Sequence, residues 1–369
     1  MKRKFAFMVM ALFLGGCASG PELLPLVTGA TAPLVTEDIF VATARAPSDD
    51  PLVVYSGGRS DVLGFAEITV SVPPEREAGT LPMPSRKPDF SRQFAAVAVD
   101  RDLTAPGFVS RLDERLLEFS PGERTAFVFV HGFNTDFAEG VYRQAQFLHD
   151  YKIDAAAVNF SWPSAGKTPL YLYDRDSAQF ARGSLVKTLR LLAGSKADRI
   201  IILGHSMGAL LTMEALHEIS ISGDKALLRR IDAVLLAAPD IDVDVFWQQV
   251  SQIDPMPSSF AVMVSSKDRA LNLSNRVRGG HPRVGEGVDI DALRKNGIAV
   301  IDLSEQGAGR RSLNHSTFAS SPVLIDLAQS GLLGRDSLNS ETSIDTALGN
   351  LSDLLAGVVY LPAKAAGVR

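Results

Sequence analysis

The chain has 369 residues, 46% of them hydrophobic and 21% charged, an ordinary globular composition long enough for one large α/β domain with additions. A formal net charge of −5, with no basic cluster beyond the first few residues, excludes a nucleic-acid partner on electrostatic grounds. One cysteine, no histidine pair at zinc spacing and no Gly-rich loop ahead of a Lys-Ser/Thr pair argue against a metal, a disulfide framework or a nucleotide cradle, and no cofactor is expected.

Lys2-Arg3-Lys4 begins the chain, and residues 5–14 follow as an apolar core too short to span a bilayer. Residues 1–16 therefore read as an export signal. Leu14-Gly15-Gly16-Cys17, holding the only cysteine, resembles the lipobox of bacterial lipoproteins. That resemblance implies cleavage before Cys17, a diacylglycerol on its thiol and an acylated new N-terminus. Several acyl chains make a stable anchor where one is marginal. Ala18 after the cysteine then implies sorting to the outer membrane of the bacterial cell envelope, facing the periplasm. Residues 17–36, rich in Pro, Gly, Ala and Leu and without helical or strand period, read as a lipidated tether.

The body of the chain is expected over residues 37–330, with a β-rich opening to about residue 100 by strand periodicity. Phe40-Val41-Ala42-Thr43, the run from Ala66 to Val72 and Phe94-Ala95-Ala96-Val97-Ala98-Val99 are strand-like, with a Pro-rich loop between the last two. From residue 125 strands and helices alternate. Strands are predicted over 126–130, 155–160, 200–203, 233–238, 260–264 and 298–303, and helices over 139–150 and 176–193. Alternation of this kind argues for an α/β fold: a mostly parallel sheet with helices on both faces and ligands at the strand carboxyl ends. Residues 331–369 are expected to hold a helix and a tail and carry no assigned chemistry.

One turn in that series stands out. Gly204-His205-Ser206-Met207-Gly208 follows the apolar run Ile200-Ile201-Ile202-Leu203 and opens a helix-like segment. A serine on a sharp strand-to-helix turn is lifted off the sheet where other segments can activate it, and the flanking glycines let strand and helix pass closely. Such a serine needs a base, an acid that orients the base, and donors for the oxyanion. Of the six histidines, His205 and His217 sit in the turn and along its helix, and His131 and His149 precede the serine. His281 and His315 remain for an order of serine, acid, histidine, and His315 is favoured because it follows the last strand. For the acid, Asp268 and Asp240 both follow strands. Asp268 is the first choice and Asp240 the runner-up, with capping of a helix near Ile241 as Asp240's other role. Met207 N–H and Phe133 N–H, the latter in His131-Gly132-Phe133-Asn134 after a strand, are the expected oxyanion donors. Trp162, Tyr171 and Tyr173 are expected in one loop, lining the pocket or packing on the surface.

His131-Gly132-Phe133-Asn134, Phe160-Ser161-Trp162-Pro163-Ser164, Gly204-His205-Ser206-Met207-Gly208, Ala238-Pro239-Asp240 and Asn314-His315-Ser316 together resemble a family of bacterial α/β-hydrolases of unassigned substrate, esterase/lipase-like and of the domain-of-unknown-function-900 type. Ala209 stands where that family usually has Asn, and Ala42-Thr43-Ala44-Arg45 where its opening strand carries Arg. The resemblance implies an α/β-hydrolase fold. The expectation is a carboxylesterase/lipase-like serine hydrolase that cleaves a small-molecule or lipid-like ester through an acyl-enzyme on Ser206. It meets the membrane through its N-terminal lipid. The alternative is an envelope lipoprotein that keeps the scaffold for binding only.

Overall fold

The computed structural model describes residues 34–304 apart from 51, 269, 272–273, 275–280 and 288–289, and also residues 317–321 and 324–325. The expected signal, most of the tether, His315 and the C-terminal helix and tail lie outside the described residues.

Among the described residues, nine strands form one sheet: β1 (Thr36–Pro47), β2 (Tyr55–Ser71), β3 (Ala95–Asp100), β4 (Thr125–Val130), β5 (Ala156–Ser161), β6 (Arg199–His205), β7 (Ile231–Ala237), β8 (Ser259–Val264) and β9 (Ala299–Asp302). Their order is β3-β2-β1-β5-β4-β6-β7-β8-β9. β1, β2 and β3 pair antiparallel; from β1 through β9 every neighbouring pair is parallel. The β-rich opening is thus continuous with the parallel sheet. Thr36, expected in the tether, already belongs to β1. Because β1 runs parallel to β5, the chain enters the sheet at the edge opposite the strand carboxyl ends.

The central strands are apolar on both faces, as burial between two helix layers requires. All six residues of β4 are buried. Ala126, Val128 and Val130 face one core, shared with α1 (Ala105–Leu116), α3 (Tyr171–Ala193), α4 (Met207–Ile221), α6 (Val243–Val250) and α7 (Ile290–Lys295). Phe127 and Phe129 face the other, covered by α2 (Phe137–Tyr151) and by Phe318 of the short α8 (Thr317–Ser320). A one-turn α5 (Lys225–Leu228) links α4 to β7. Among the described residues, no helix is long and apolar enough to cross a membrane.

Three local expectations change. Helix α1, which the sequence pattern did not indicate, buries Phe108, Leu112 and Leu116 at a spacing of one turn each and is capped by Thr104 Oγ1 on Gly107 N–H. Helix α3 starts at Tyr171, so Tyr171 and Tyr173 lie in its first turn and not in a loop. Helix α6 is capped by Asp242, whose carboxylate accepts from Asp244 and Val245 N–H, so Asp240 has no capping role there.

Candidate active site

Ser206 sits between β6 and α4 with φ 54° and ψ −117°, a backbone conformation that costs a non-glycine residue about 1–3 kcal/mol and persists only where its surroundings impose it. The surroundings are visible. Ser206 N–H donates to Ala237 O at 2.9 Å, and Ser206 O accepts from Ala209 N–H at 3.0 Å and Asp240 N–H at 3.3 Å. The two glycines of the turn have no room for a side chain. A Cβ at Gly208 would lie 2.2 Å from His131 O and 2.3 Å from Val130 O; at Gly204 it would lie 2.8 Å from Thr212 Oγ1. Close approach of β4, β6 and α4 therefore sets the turn. Met207, buried, heads α4, where the first N–H groups have no partner within the helix and carry the positive end of its dipole.

The loop after β4 crosses directly over this turn. A Cβ at Gly132 would fall 2.6 Å from Nδ1 of His205 and 3.1 Å from Cβ of Ser206. Phe133, the expected second oxyanion donor, is the next residue of this loop. Asn134 after it takes φ 56°. His131, at the start of the loop, is buried and stacked on Trp162 at 4.9 Å. Burial, reinforced by the Arg45 guanidinium, pushes its pKa down to about 3. It stays neutral at physiological pH and is a packing element, not a base. Trp162 is fully buried in the core and not on the surface, its indole N–H donating to His131 O at 2.7 Å.

The two candidate acids part company. Asp268 follows β8, two strands from β6 across β7, and is fully buried. Its Oδ1 accepts from Ala270 N–H at 2.9 Å and Leu271 N–H at 3.0 Å. Asp240 follows β7 and its carboxylate is taken up on several sides. Tyr171 Oη donates to Oδ2 at 2.6 Å, Ser274 Oγ donates to Oδ1 at 2.9 Å, and Arg283 Nε stands 3.4 Å from Oδ1. Asp240 thus ties α3 and the segments around Ser274 and Arg283 to the residue that braces the serine turn.

Tyr171 also meets Phe133 edge-on at 5.3 Å, which puts it beside the expected oxyanion loop. Tyr173 lines a different cavity, of about 480 Å³, together with Tyr55, Phe137 and Leu170. His281 is exposed. His205 packs its ring on Phe318 at 4.6 Å. Phe318 lies three residues after His315 in the chain. No group of three or more His, Cys, Asp or Glu residues that would hold a metal occurs among the described residues.

Sequence reasoning missed a buried polar network behind the loop. Arg45 and Asp174 carry it, both buried and far apart in the chain, and no local pattern links them.

A family model described as "Alpha/beta hydrolase of unknown function (DUF900)" matches residues 112–334, more than half of the chain. No curated protein matches it. Among solved structures, the apo form of Thermogutta terrifontis esterase 2 aligns at 12% identity and TM-score 0.35, over 58% of this chain and 85% of that one. Lipase B of Aspergillus fumigatus aligns at 15% identity and TM-score 0.36, over 71% of this chain and 70% of that one. A putative hydrolase from Agrobacterium vitis S4 aligns at 11% identity and TM-score 0.35, over 82% of this chain and 98% of that one.

Proposed function

We propose that this chain, which belongs to the α/β-hydrolase family of unknown function DUF900 and has the α/β-hydrolase fold, is a serine hydrolase that cleaves an ester through an acyl-enzyme on Ser206. The observation that carries the reading is the strained serine between β6 and α4, with the loop after β4 laid across it. A strained, over-determined backbone at a nucleophile position is a device for aiming a side chain.

In this reading His315 takes the Ser206 proton as the hydroxyl attacks the ester carbonyl, and returns it to the leaving alcohol as the tetrahedral intermediate collapses. Asp268 holds the imidazole in the productive tautomer and stabilises its cation. Phe133 and Met207 N–H groups hold the oxyanion. A water then repeats the sequence to free the acid. Two facts support these assignments. Phe318, three residues after His315 in the chain, packs its ring on His205 of the serine turn at 4.6 Å. Asp268, fully buried, follows β8 at the carboxyl edge of the sheet, the edge that carries Ser206.

A fluorophosphonate probe on the purified protein tests the reading without knowledge of the natural substrate. Covalent labelling and turnover of short p-nitrophenyl esters are expected for the wild type and neither for Ser206→Ala. An unlabelled, correctly folded wild type would leave the scaffold as a binding protein.

The envelope anchor belongs to the same proposal. The chain joins β1 at the sheet edge opposite Ser206, so a lipid on Cys17 would tether the protein from that end. Metabolic palmitate labelling that depends on Cys17 is expected, and equal labelling of Cys17→Ser would exclude the anchor.

A further inference from the structure

The loop 131–136 must hold a non-glycine residue at positive φ and still present Phe133 N–H to the serine. Within the loop, the Thr135 hydroxyl donates to Phe133 O at 3.4 Å. The stronger contacts lead backwards into a buried polar cluster. Asn134 N–H donates to Asp174 Oδ2 at 3.3 Å, and Thr135 N–H donates to Ser164 Oγ at 3.2 Å. Thr135 O accepts from Arg45 Nη2 at 2.9 Å. The two residues next after Phe133 are therefore pinned by side chains from three other elements.

These side chains also pin one another. Ser164 Oγ donates to Asp174 Oδ2 at 2.6 Å, and Ala165 N–H donates to Asp174 Oδ1 at 2.7 Å. Arg45 reaches Ser164 O at 2.7 Å through Nη1 and Ser161 Oγ at 2.8 Å through Nε. Asp174, Ser164 and Arg45 are each at most 1% exposed. A charged, buried network of this kind is costly to build unless every member is satisfied, and its benefit is a single defined geometry. Arg45 and Asp174 make no direct hydrogen bond to each other; Asp174 places its hydrogen bonds on the two loops, and Arg45 bonds both loops and also Ser161 Oγ of β5, Ser56 O of β2 and His131 Nε2.

We propose that Arg45, Asp174 and Ser164 are positioning residues, which lock the loop 131–136 in the shape that turns Phe133 N–H toward Ser206. The inference rests on the serine-hydrolase reading above. It deepens it by assigning the buried cluster the task of holding one oxyanion donor in place. None of the three residues touches the reacting atoms.

The test uses full-length protein, the rate of fluorophosphonate labelling and p-nitrophenyl butyrate kinetics. Asp174→Asn and Ser164→Ala are each expected to lower kcat and the labelling rate by about 10²-fold, the scale of one lost oxyanion donor. KM should stay within about two-fold, because the donor acts on the transition state and not on the bound ester. Ser164→Ala removes a single hydroxyl and reports even where Asp174→Asn fails to fold. Wild-type labelling rates in folded Asp174→Asn and Ser164→Ala would overturn the positioning role while leaving the serine reading intact. An unlabelled wild type, or labelling that survives Ser206→Ala, would instead fail the serine reading and this inference with it.

Discussion

Among the described residues, two buried clusters that each hold an arginine and an aspartate lie at opposite edges of the sheet, and they are built differently. At the amino edge Arg76 grips Asp150 with both terminal nitrogens, while Gly79 N–H and Gln146 Nε2 complete the carboxylate. Arg76 also lies over the Phe94 ring at 5.2 Å. Burial works against the Asp150 charge, but these hydrogen bonds outweigh it and hold its pKa below the ordinary carboxylate value. At the carboxyl edge Arg45 and Asp174 make no hydrogen bond to each other and brace two loops instead. There burial outweighs the hydrogen bonds from Ser164, Ala165 and Asn134 and raises the Asp174 pKa. Burial also lowers Arg45 to about 10, which leaves it charged at neutral pH. The first cluster is a staple that fastens the segment around Arg76 and Gly79 to α2 and, through Gln146 Nε2 on Ala319 O, to α8. The second holds a charge at some cost and directs its hydrogen bonds to the segment over the serine. Stability is concentrated in one and geometry in the other.

The largest expected effect contrasts catalysis with structure within the carboxyl edge itself. Asp268→Asn should lose about 10⁴ in kcat, because an imidazole without its orienting acid takes the wrong tautomer. Its Tm should stay near the wild-type value. Asp240→Asn removes the nearer of two carboxylates beside buried Arg283, the other being Asp242, and breaking a buried pair from one side costs up to about 3–5 kcal/mol of stability. It should melt markedly lower, with kcat reduced far less than in Asp268→Asn. Thermal melts beside steady-state kinetics separate the two. Exchanged phenotypes would make Asp240 the acid and Asp268 the structural carboxylate.

The half of this picture built from local pattern was legible in the sequence. Gly204, Ser206 and Gly208 between an apolar run and a helical one identify the turn, because its steric demands fall within five residues. The central strands were legible because burial on both faces leaves continuous apolar runs such as Thr125–Val130. Helix α1 was missed although Phe108, Leu112 and Leu116 keep a helical spacing; its Pro and Gly in the first turn read as loop. The start of α3 was missed for a similar reason: Pro169 and the tyrosines obscured a helix that begins on a 3-10 turn. The Arg45–Ser164–Asp174 cluster and the partners of Asp240 carry no local signal. They are brought together only when β1, the loop after β5 and α3 meet, across separations of up to 119 residues for a single hydrogen bond. Charge–charge neighbours of that kind obey no sequence period.

The smallest expected effect is a difference in sign between the two clusters as pH falls, and it bears on the comparison most directly. Asp150 has a folded-state pKa below its unfolded value, so its contribution to stability is complete above about pH 4 and is lost as pH falls through the depressed value. Asp174 is the opposite case. Its folded-state pKa is raised, so between that value and about pH 4 the folded chain binds more protons than the unfolded one, and stability increases as pH is lowered through this window. Tm measured against pH for wild type, Asp150→Asn and Asp174→Asn reads each contribution as a difference. Asp150→Asn should melt lower at neutral pH and show a shallower loss in acid. Asp174→Asn should remove the gain between the raised value and about pH 4. That change is small beside those above, since even a tenfold change in an ionisation constant is worth only about 1.4 kcal/mol. Parallel Tm curves for the two variants would mean that both clusters serve stability alike, and the division of labour between the two edges would not stand.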